Sequence, residues 1–166
     1  YTMTLQWIPG NLPLGYMKLA HKKMGLPTER IRKDIDPGYN WARSFRRRFQ
    51  ELGKNAPRGR AELRYIPLKT LRKNINKIPI PAMGLVVGAR QIKNPFLITH
   101  MGFILRDTKG QIIWRHASGS PGRERVEDRI LANYLHALST YFTKYRRRHV
   151  MGMVIYSLVD PPRKVD

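Results

Sequence analysis

The chain has 166 residues, a length that suggests one domain, and carries 32 Lys and Arg against 11 Asp and Glu, for a formal net charge of +21. Hydrophobic residues make up 42% and charged residues 26%, the balance of a folded globular chain rather than of a disordered basic tail. No apolar run reaches the roughly 18 residues of a membrane-spanning helix. Cysteine is absent, which excludes within these residues a disulfide scaffold, a thiolate metal site and a cysteine nucleophile.

So large a positive charge implies an anionic partner, and nucleic acid, acidic membrane and anionic cell-wall polymer all qualify. Tyr1 is not a start methionine, so the chain is expected to be processed, trimmed or cut from something longer, and no apolar signal segment is visible at this end.

Residues 1–62 are basic and expected to be mainly helical. Pro13 to Met24 has helix formers and stops at Gly25, with Pro27 beyond. Thr28-Glu29-Arg30-Ile31 starts a short second helix, broken by Asp36-Pro37-Gly38. Asn40 caps a third helix that runs to about Leu52 and stops at Gly53. That segment holds Trp41 and the densest basic run, Arg43-Ser44-Phe45-Arg46-Arg47-Arg48-Phe49. Trp41, Phe45 and Phe49 recur at a spacing of four, which fits a core stripe with a solvated basic face. The same residues, Trp41 with Arg46, Arg47 and Arg48, are also the kind that stack bases and hold phosphates.

Residues 63–166 are expected to be rich in sheet. Leu68 to Ile75 suits a helix, Gly84 to Gly88 a short buried strand, and Leu97 to Arg106 a longer strand with Gln111 to Ala117 as its hairpin partner. Val126 to Tyr145 has Ile130, Leu131, Tyr134, Leu135 and Leu138 on one helical face, and Met151 to Leu158 is a last strand before Pro161-Pro162. The order predicts an α+β fold, one domain overall, with a largely antiparallel sheet packed against helices.

The hairpin is the informative segment. Asp107-Thr108-Lys109-Gly110 suits a type I turn followed by a left-handed glycine. Asp107 then pairs with Gln111, His116 falls opposite Gly102, and His100 falls opposite Ser118. Cross-strand partners share a face, so His100 and His116 become diagonal neighbours within hydrogen-bonding reach, with Gly102 leaving room for His116. A two-residue loop would shift the register and separate them. Such a pair suits a metal, a base with its orienting partner, or two ordinary strand residues. No third ligand lies nearby in sequence, so no metal and no cofactor is expected. Arg115 and Arg123 are either solvated or placed to hold a substrate carboxylate bidentately.

Thr99-His100-Met101-Gly102-Phe103, followed by a hairpin and Arg115-His116-Ala117-Ser118, resembles the NlpC-type papain-like cell-wall peptidases. The likeness is strongest to the N-acetylmuramoyl-L-alanine amidase-like branch. Tyr65-Ile66-Pro67 upstream, the apolar strand Gly84 to Gly88, Tyr134-Leu135 and Gly152-Met153-Val154-Ile155 follow in the same order, so the resemblance spans about residues 63–158. It implies a papain-like half-barrel in which a cysteine at a helix start attacks an amide. Carried over, His100 is the base and His116 the residue that orients it. The departure is the missing cysteine, with Pro13 in the place a loose alignment gives it. The nucleophile is then expected either upstream of Tyr1 or lost in a degenerate relative. The resemblance further implies a bacterial envelope or periplasmic setting, with peptidoglycan or an acidic wall polymer as the anionic partner. The alternatives are a basic nucleic-acid-binding module and a structural basic domain of a larger assembly.

Overall fold

The computed structural model of the chain describes residues 7–35, 59–89, 97–118, 125–144 and 149–159. In chain order the described elements begin with α1 (Ile8–Asn11), β1 (Met17–Leu19), α2 (His21–Met24), β2 (Glu29–Ile35) and β3 (Gly59–Pro67). They continue with α3 (Leu68–Lys73), β4 (Ala82–Ala89), β5 (Ile98–Arg106), β6 (Ile112–Ser118), β7 (Arg125–Ile130), α4 (Leu131–Lys144) and β8 (His149–Leu158). The strands form one eight-stranded sheet in the order β2-β3-β8-β4-β5-β6-β7, with β1 also paired to β8. Every pairing is antiparallel, so the fold is α+β with a mainly antiparallel sheet and few helices.

Alternation along the strands gives the sheet two buried faces. On one, Ala82 and Val86 of β4, Ile104, Trp114, Met153 and Ile155 pack against Leu71 of α3 and against Leu131, Tyr134, Leu135 and Leu138 of α4. On the other, Met83, Leu85, Val87, Val154 and Tyr156 pack against Ile8, Met17, Leu63 and Tyr65. Four of the five residues of the expected stripe are therefore the helical wall of the first core, while Ile130 ends β7 and is exposed.

Three expected helices differ from what forms. Only the last turn of Pro13–Met24 is helical: Gly15 adopts φ 78 in a turn, and Met17–Leu19 pairs with β8 instead. Gly25 does stop α2, at φ 61. Thr28 to Ile31 opens a strand, because each residue from Glu29 to Ile35 finds a partner on β3. β3 itself runs through position 62. Val126 to Ile130 is likewise strand, drawn into β7 by pairing with β6. Local propensity loses here to ladder hydrogen bonds, with partners far along the chain for β1 and β2 and with the preceding strand for β7. The expected helix from Asn40 to Leu52 lies outside the described residues.

The hairpin forms as the turn chemistry requires. Asp107 accepts backbone N–H bonds from Lys109 (2.9 Å) and Gln111 (2.8 Å) on Oδ1. Gly110 supplies the left-handed conformation at φ 77. Phe103 then faces Arg115 and Ile104 faces Trp114. The space over Gly102 is filled by the Trp114 indole, not by His116 as expected. A Cβ on Gly102 would lie 2.7 Å from Trp114 ring atoms and 2.7 Å from the Arg115 carbonyl oxygen. Its cross-strand partner Gly84 meets the same indole, at 2.6 Å.

Two alanine substitutions separate close packing from backbone strain. Gly102→Ala is expected to destabilise by about 1–3 kcal/mol through overpacking against Trp114, and Gly110→Ala, with open space around it, by about 1 kcal/mol through its positive φ alone. Urea unfolding of both variants checks this; a Gly102→Ala protein as stable as the parent would show that the indole slot is not tight.

Candidate active site

β5 and β6 bring the two histidines together. His100 Nε2 and His116 Nδ1 lie 2.9 Å apart in a hydrogen bond, with the rings edge to face at 84° and centroids 4.9 Å apart. His116 is buried while His100 is partly exposed. The pair stands on an aromatic floor. Trp114 is stacked on Tyr134, with ring centroids 5.1 Å apart at 17°, and Tyr134 approaches the His116 ring at 5.5 Å. His100 also continues a transverse row across four strands, Ile66 beside Met153, Met153 beside Val86 and Val86 beside His100. Its backbone is thus set by the centre of the sheet.

Two proton arrangements satisfy the imidazole contact. In one, His116 Nδ1–H donates to His100 Nε2 and is shared with the Ala117 carbonyl oxygen 3.3 Å away. In the other, His100 Nε2–H donates to His116 Nδ1, and the lone pair of His100 Nδ1 becomes available as a base. The second arrangement places the proton of His116 on Nε2, a buried atom with no hydrogen-bond partner among the described residues. Burial, then the neighbouring His116, holds His100 below the ordinary histidine range. Burial also pushes Tyr134 up to about 12, so at neutral pH the phenol is uncharged.

Other candidates fall elsewhere. Arg115, between Trp114 and His116, points to the opposite face of the sheet. There it is bound bidentately by Asp128, Nε to Oδ1 and Nη2 to Oδ2, both at 2.7 Å, and so it does not reach the histidines. Arg123, Trp41, Arg46, Arg47 and Arg48 lie outside the described residues. Pro13 follows α1, and its flanking residues Ile8 and Met17 are buried in the core on the face opposite His100. No nucleophile helix forms there. Among the described residues no three His, Asp or Glu side chains gather as a metal site.

Two features were not foreseen from the sequence. The first is Trp114, whose two-residue spacing from His116 in a strand was the available signal. The second is Glu127, the cross-strand partner of His116. Its carboxylate is held by Arg129 at 3.0 Å and Arg125 at 3.4 Å. Reading Val126 to Ile130 as helix concealed it.

No family model and no curated protein sequence matches the chain. Solved structures do. A Legionella pneumophila protein of the family described as DUF1460 superposes with TM-score 0.69 at 18% identity, over 96% of this chain and 62% of its own. A Bacteroides uniformis N-acetylmuramoyl-L-alanine amidase superposes with TM-score 0.58 at 14% identity, over 92% of this chain and 61% of its own. A Bacteroides fragilis structure described as a putative xylanase gives 0.58 at 16% identity, over 92% and 63%. The chain therefore shares its fold with these proteins, and it spans about three fifths of the length of the structures it matches.

The state of the pair is measurable. His100 should titrate below 6.5 by imidazole NMR, and His116→Gln should raise its midpoint but leave it below 6.5, since burial is the larger cause. The unfolded chain then binds more protons than the folded one between the two midpoints. His100's contribution to stability is therefore full above about pH 6.5 and declines as pH falls toward the folded midpoint. A midpoint at or above 6.5 would contradict the burial.

Proposed function

We propose that the chain is the histidine-bearing part of a peptidoglycan amidase or peptidase with a papain-like half-barrel of the NlpC type. In this reading His100 is the base and His116 the residue that orients it. The observation that carries the reading is the 2.9 Å bond between His100 Nε2 and His116 Nδ1, which ties one nitrogen of His100 to its neighbour and reserves Nδ1 for a reacting group. The fold shared with a Bacteroides amidase supports it, as does the order of the motifs from Tyr65 to Ile155.

In such an enzyme a thiol gives its proton to His100 Nδ1 as the sulfur attacks the amide carbon, and His100 returns that proton to the leaving amine. His116 keeps the imidazole in register through both transfers. The thiol is not among these 166 residues, which contain no cysteine. It is supplied by sequence outside them or lost in a degenerate relative that binds without cleaving. The work would be done in the bacterial envelope, on peptidoglycan with its attached acidic polymers. No feature of the described residues favours the nucleic-acid alternative.

The test is binding at the pair. A soluble muropeptide carrying a stem tripeptide, added to the chain, is expected to shift the His100 and His116 imidazole resonances saturably, and His100→Ala should weaken binding about tenfold. The chain alone should release no stem peptide in the presence of a chelator. Unmoved histidine resonances at millimolar muropeptide, or measurable release, would overturn the reading.

A further inference from the structure

A second feature lies on the same face of the sheet as the histidines. β3 pairs with β8 at Ile66–Met153 and Pro67–Gly152 only. Had the ladder continued, Arg64 would sit beside Ile155. Instead the Ile155 carbonyl accepts the Ala20 N–H at 2.9 Å, so β1 and the first turn of α2 take that place. The β2–β3 ribbon peels away there and leaves a fork. Arg64 has the parity of Ile66, and Ala20 and Met24 of α2 belong to the same helix-side core as Ile66. Both prongs of the fork therefore present side chains on one face.

Positive charge predominates in the fork. Arg64 and Arg30 are direct cross-strand partners, which places two guanidinium-bearing residues about 5 Å apart at the backbone. His21 and Lys22 stand on the opposite prong. The carboxylates nearby are committed: Glu62 to Arg32 at 2.6 Å and to Arg30 at 3.4 Å, and Asp34 to Arg60 at 3.1 Å. Glu29 is on the other face of the ribbon, accepting from the Tyr65 hydroxyl at 2.6 Å. Among the described residues no carboxylate is in ion-pair range of Arg64, Lys22 or His21. Consistent with an uncompensated positive field, His21 is held below the ordinary histidine range by burial, then by Arg64 and Lys22.

Arg64 and Lys22 have no carboxylate partner among the described residues, and Arg30 shares Glu62 with Arg32; like charges brought together and so little compensated raise the energy of the folded state unless an anion joins them. We propose that the fork formed by His21, Lys22, Arg30 and Arg64 is a binding site for the phosphodiester groups of an anionic wall polymer. A phosphodiester offers two non-bridging oxygens, one for each guanidinium, and Lys22 adds a third cation without a geometric demand. On the ribbon face that carries Arg64, the described residues Arg30, Arg32, Asp34, Arg60, Glu62 and Arg64 include no aromatic ring for a base to stack on, and a backbone of sugar or polyol phosphate fits them better. Three strand spacings, about 14 Å, separate β3 from β5, so a polymer held in the fork lies alongside the histidine pair without occupying it. The choice of a wall polymer rests on the function proposed above; the anion site itself does not.

A protein of charge +21 binds any polyanion to some degree, so the experiment compares charge removed at the fork with equal charge removed elsewhere. Binding of the 166-residue chain to poly(glycerol phosphate) and to a DNA oligonucleotide of similar length is measured by calorimetry at about 0.1 M salt, where exposed charges more than about 10 Å apart are screened. The proteins are the parent, Arg30→Gln/Arg64→Gln, Lys77→Gln/Lys109→Gln as the charge control, and His100→Ala. The fork variant is expected to bind poly(glycerol phosphate) at least tenfold more weakly, the control within about twofold, and His100→Ala as the parent does. Equal losses in the fork variant and the control would overturn the site, leaving net charge alone as the cause. A fork-dependent loss for DNA but not for poly(glycerol phosphate) would overturn the wall polymer in favour of nucleic acid. Coincident thermal melts confirm that the variants fold. Failure of the muropeptide test with the fork result intact would remove the amidase reading and leave the anion site standing.

Discussion

The arrangement of the site depends on one packing constraint: an indole laid across two glycines. Gly84 and Gly102 are cross-strand partners at the centre of the sheet, and Trp114 lies over both, fully buried. Any side chain at either glycine would lift the ring. Tyr134 stacks on the indole, which docks the first turns of α4, and His116 stands next to Trp114 on the same face of β6. The height of His116 above the sheet, and so its reach to His100, is set by the seating of the tryptophan. The hydrogen bond between the histidines is the exposed end of a packed stack.

The charges follow a different logic from the core. Each carboxylate in the described residues has a partner: Glu29 a tyrosine hydroxyl, Asp107 two backbone amides, and Asp34, Glu62, Glu127 and Asp128 arginines. Apart from those of the largely covered Glu127 and of Glu29, these pairs are surface-exposed, and an exposed pair is worth little in stability. Their effect is on distribution. They offset most of the charge at the Arg115–Asp128 and Arg125–Glu127–Arg129 end of the sheet and leave Lys22 and Arg64, at the fork of β1, α2 and β3, without a carboxylate partner among the described residues. An overall charge tells nothing of this division; the cross-strand pairing decides it.

Much of the second half was legible in the sequence, for an identifiable reason. Asp107 and Gly110 specify one turn, the turn specifies one register, and the register places His100 and His116 on one face. Each step is local, and the chain behaves as its residues dictate. The helical stripe Leu131, Tyr134, Leu135 and Leu138 was equally readable, since its period is carried by adjacent residues. The first half was not. Met17–Leu19 and Glu29–Ile35 become strands only because β8 and β3 offer edges, and those partners are more than a hundred and about thirty residues away. β7 escaped for a different reason, since its apolar Val126 and Ile130 run into the stripe of α4 although the strand pairs with neighbouring β6, and Glu127 went with it. The glycine at 102 was recognised as leaving space, but what fills that space is decided by which neighbour is largest and most apolar, and that is the indole rather than the imidazole.

The absence of a thiol bears directly on the chemistry of the pair. Burial makes a charge on His100 costly, and among the described residues the polar group bonded to its ring is another imidazole, which gains nothing from a positive neighbour. Burial therefore favours the neutral form of His100, and one proton lies between its Nε2 and Nδ1 of His116. Protonation of His100 at Nδ1 becomes favourable only if an anion is left beside it to offset the lost hydration, since an adjacent opposite charge supports the charged form of a buried group. A thiolate produced by the same proton transfer is such an anion. A histidine held neutral by burial and braced on its far nitrogen is thus suited to accept a proton from an acidic neighbour and unsuited to take one from water.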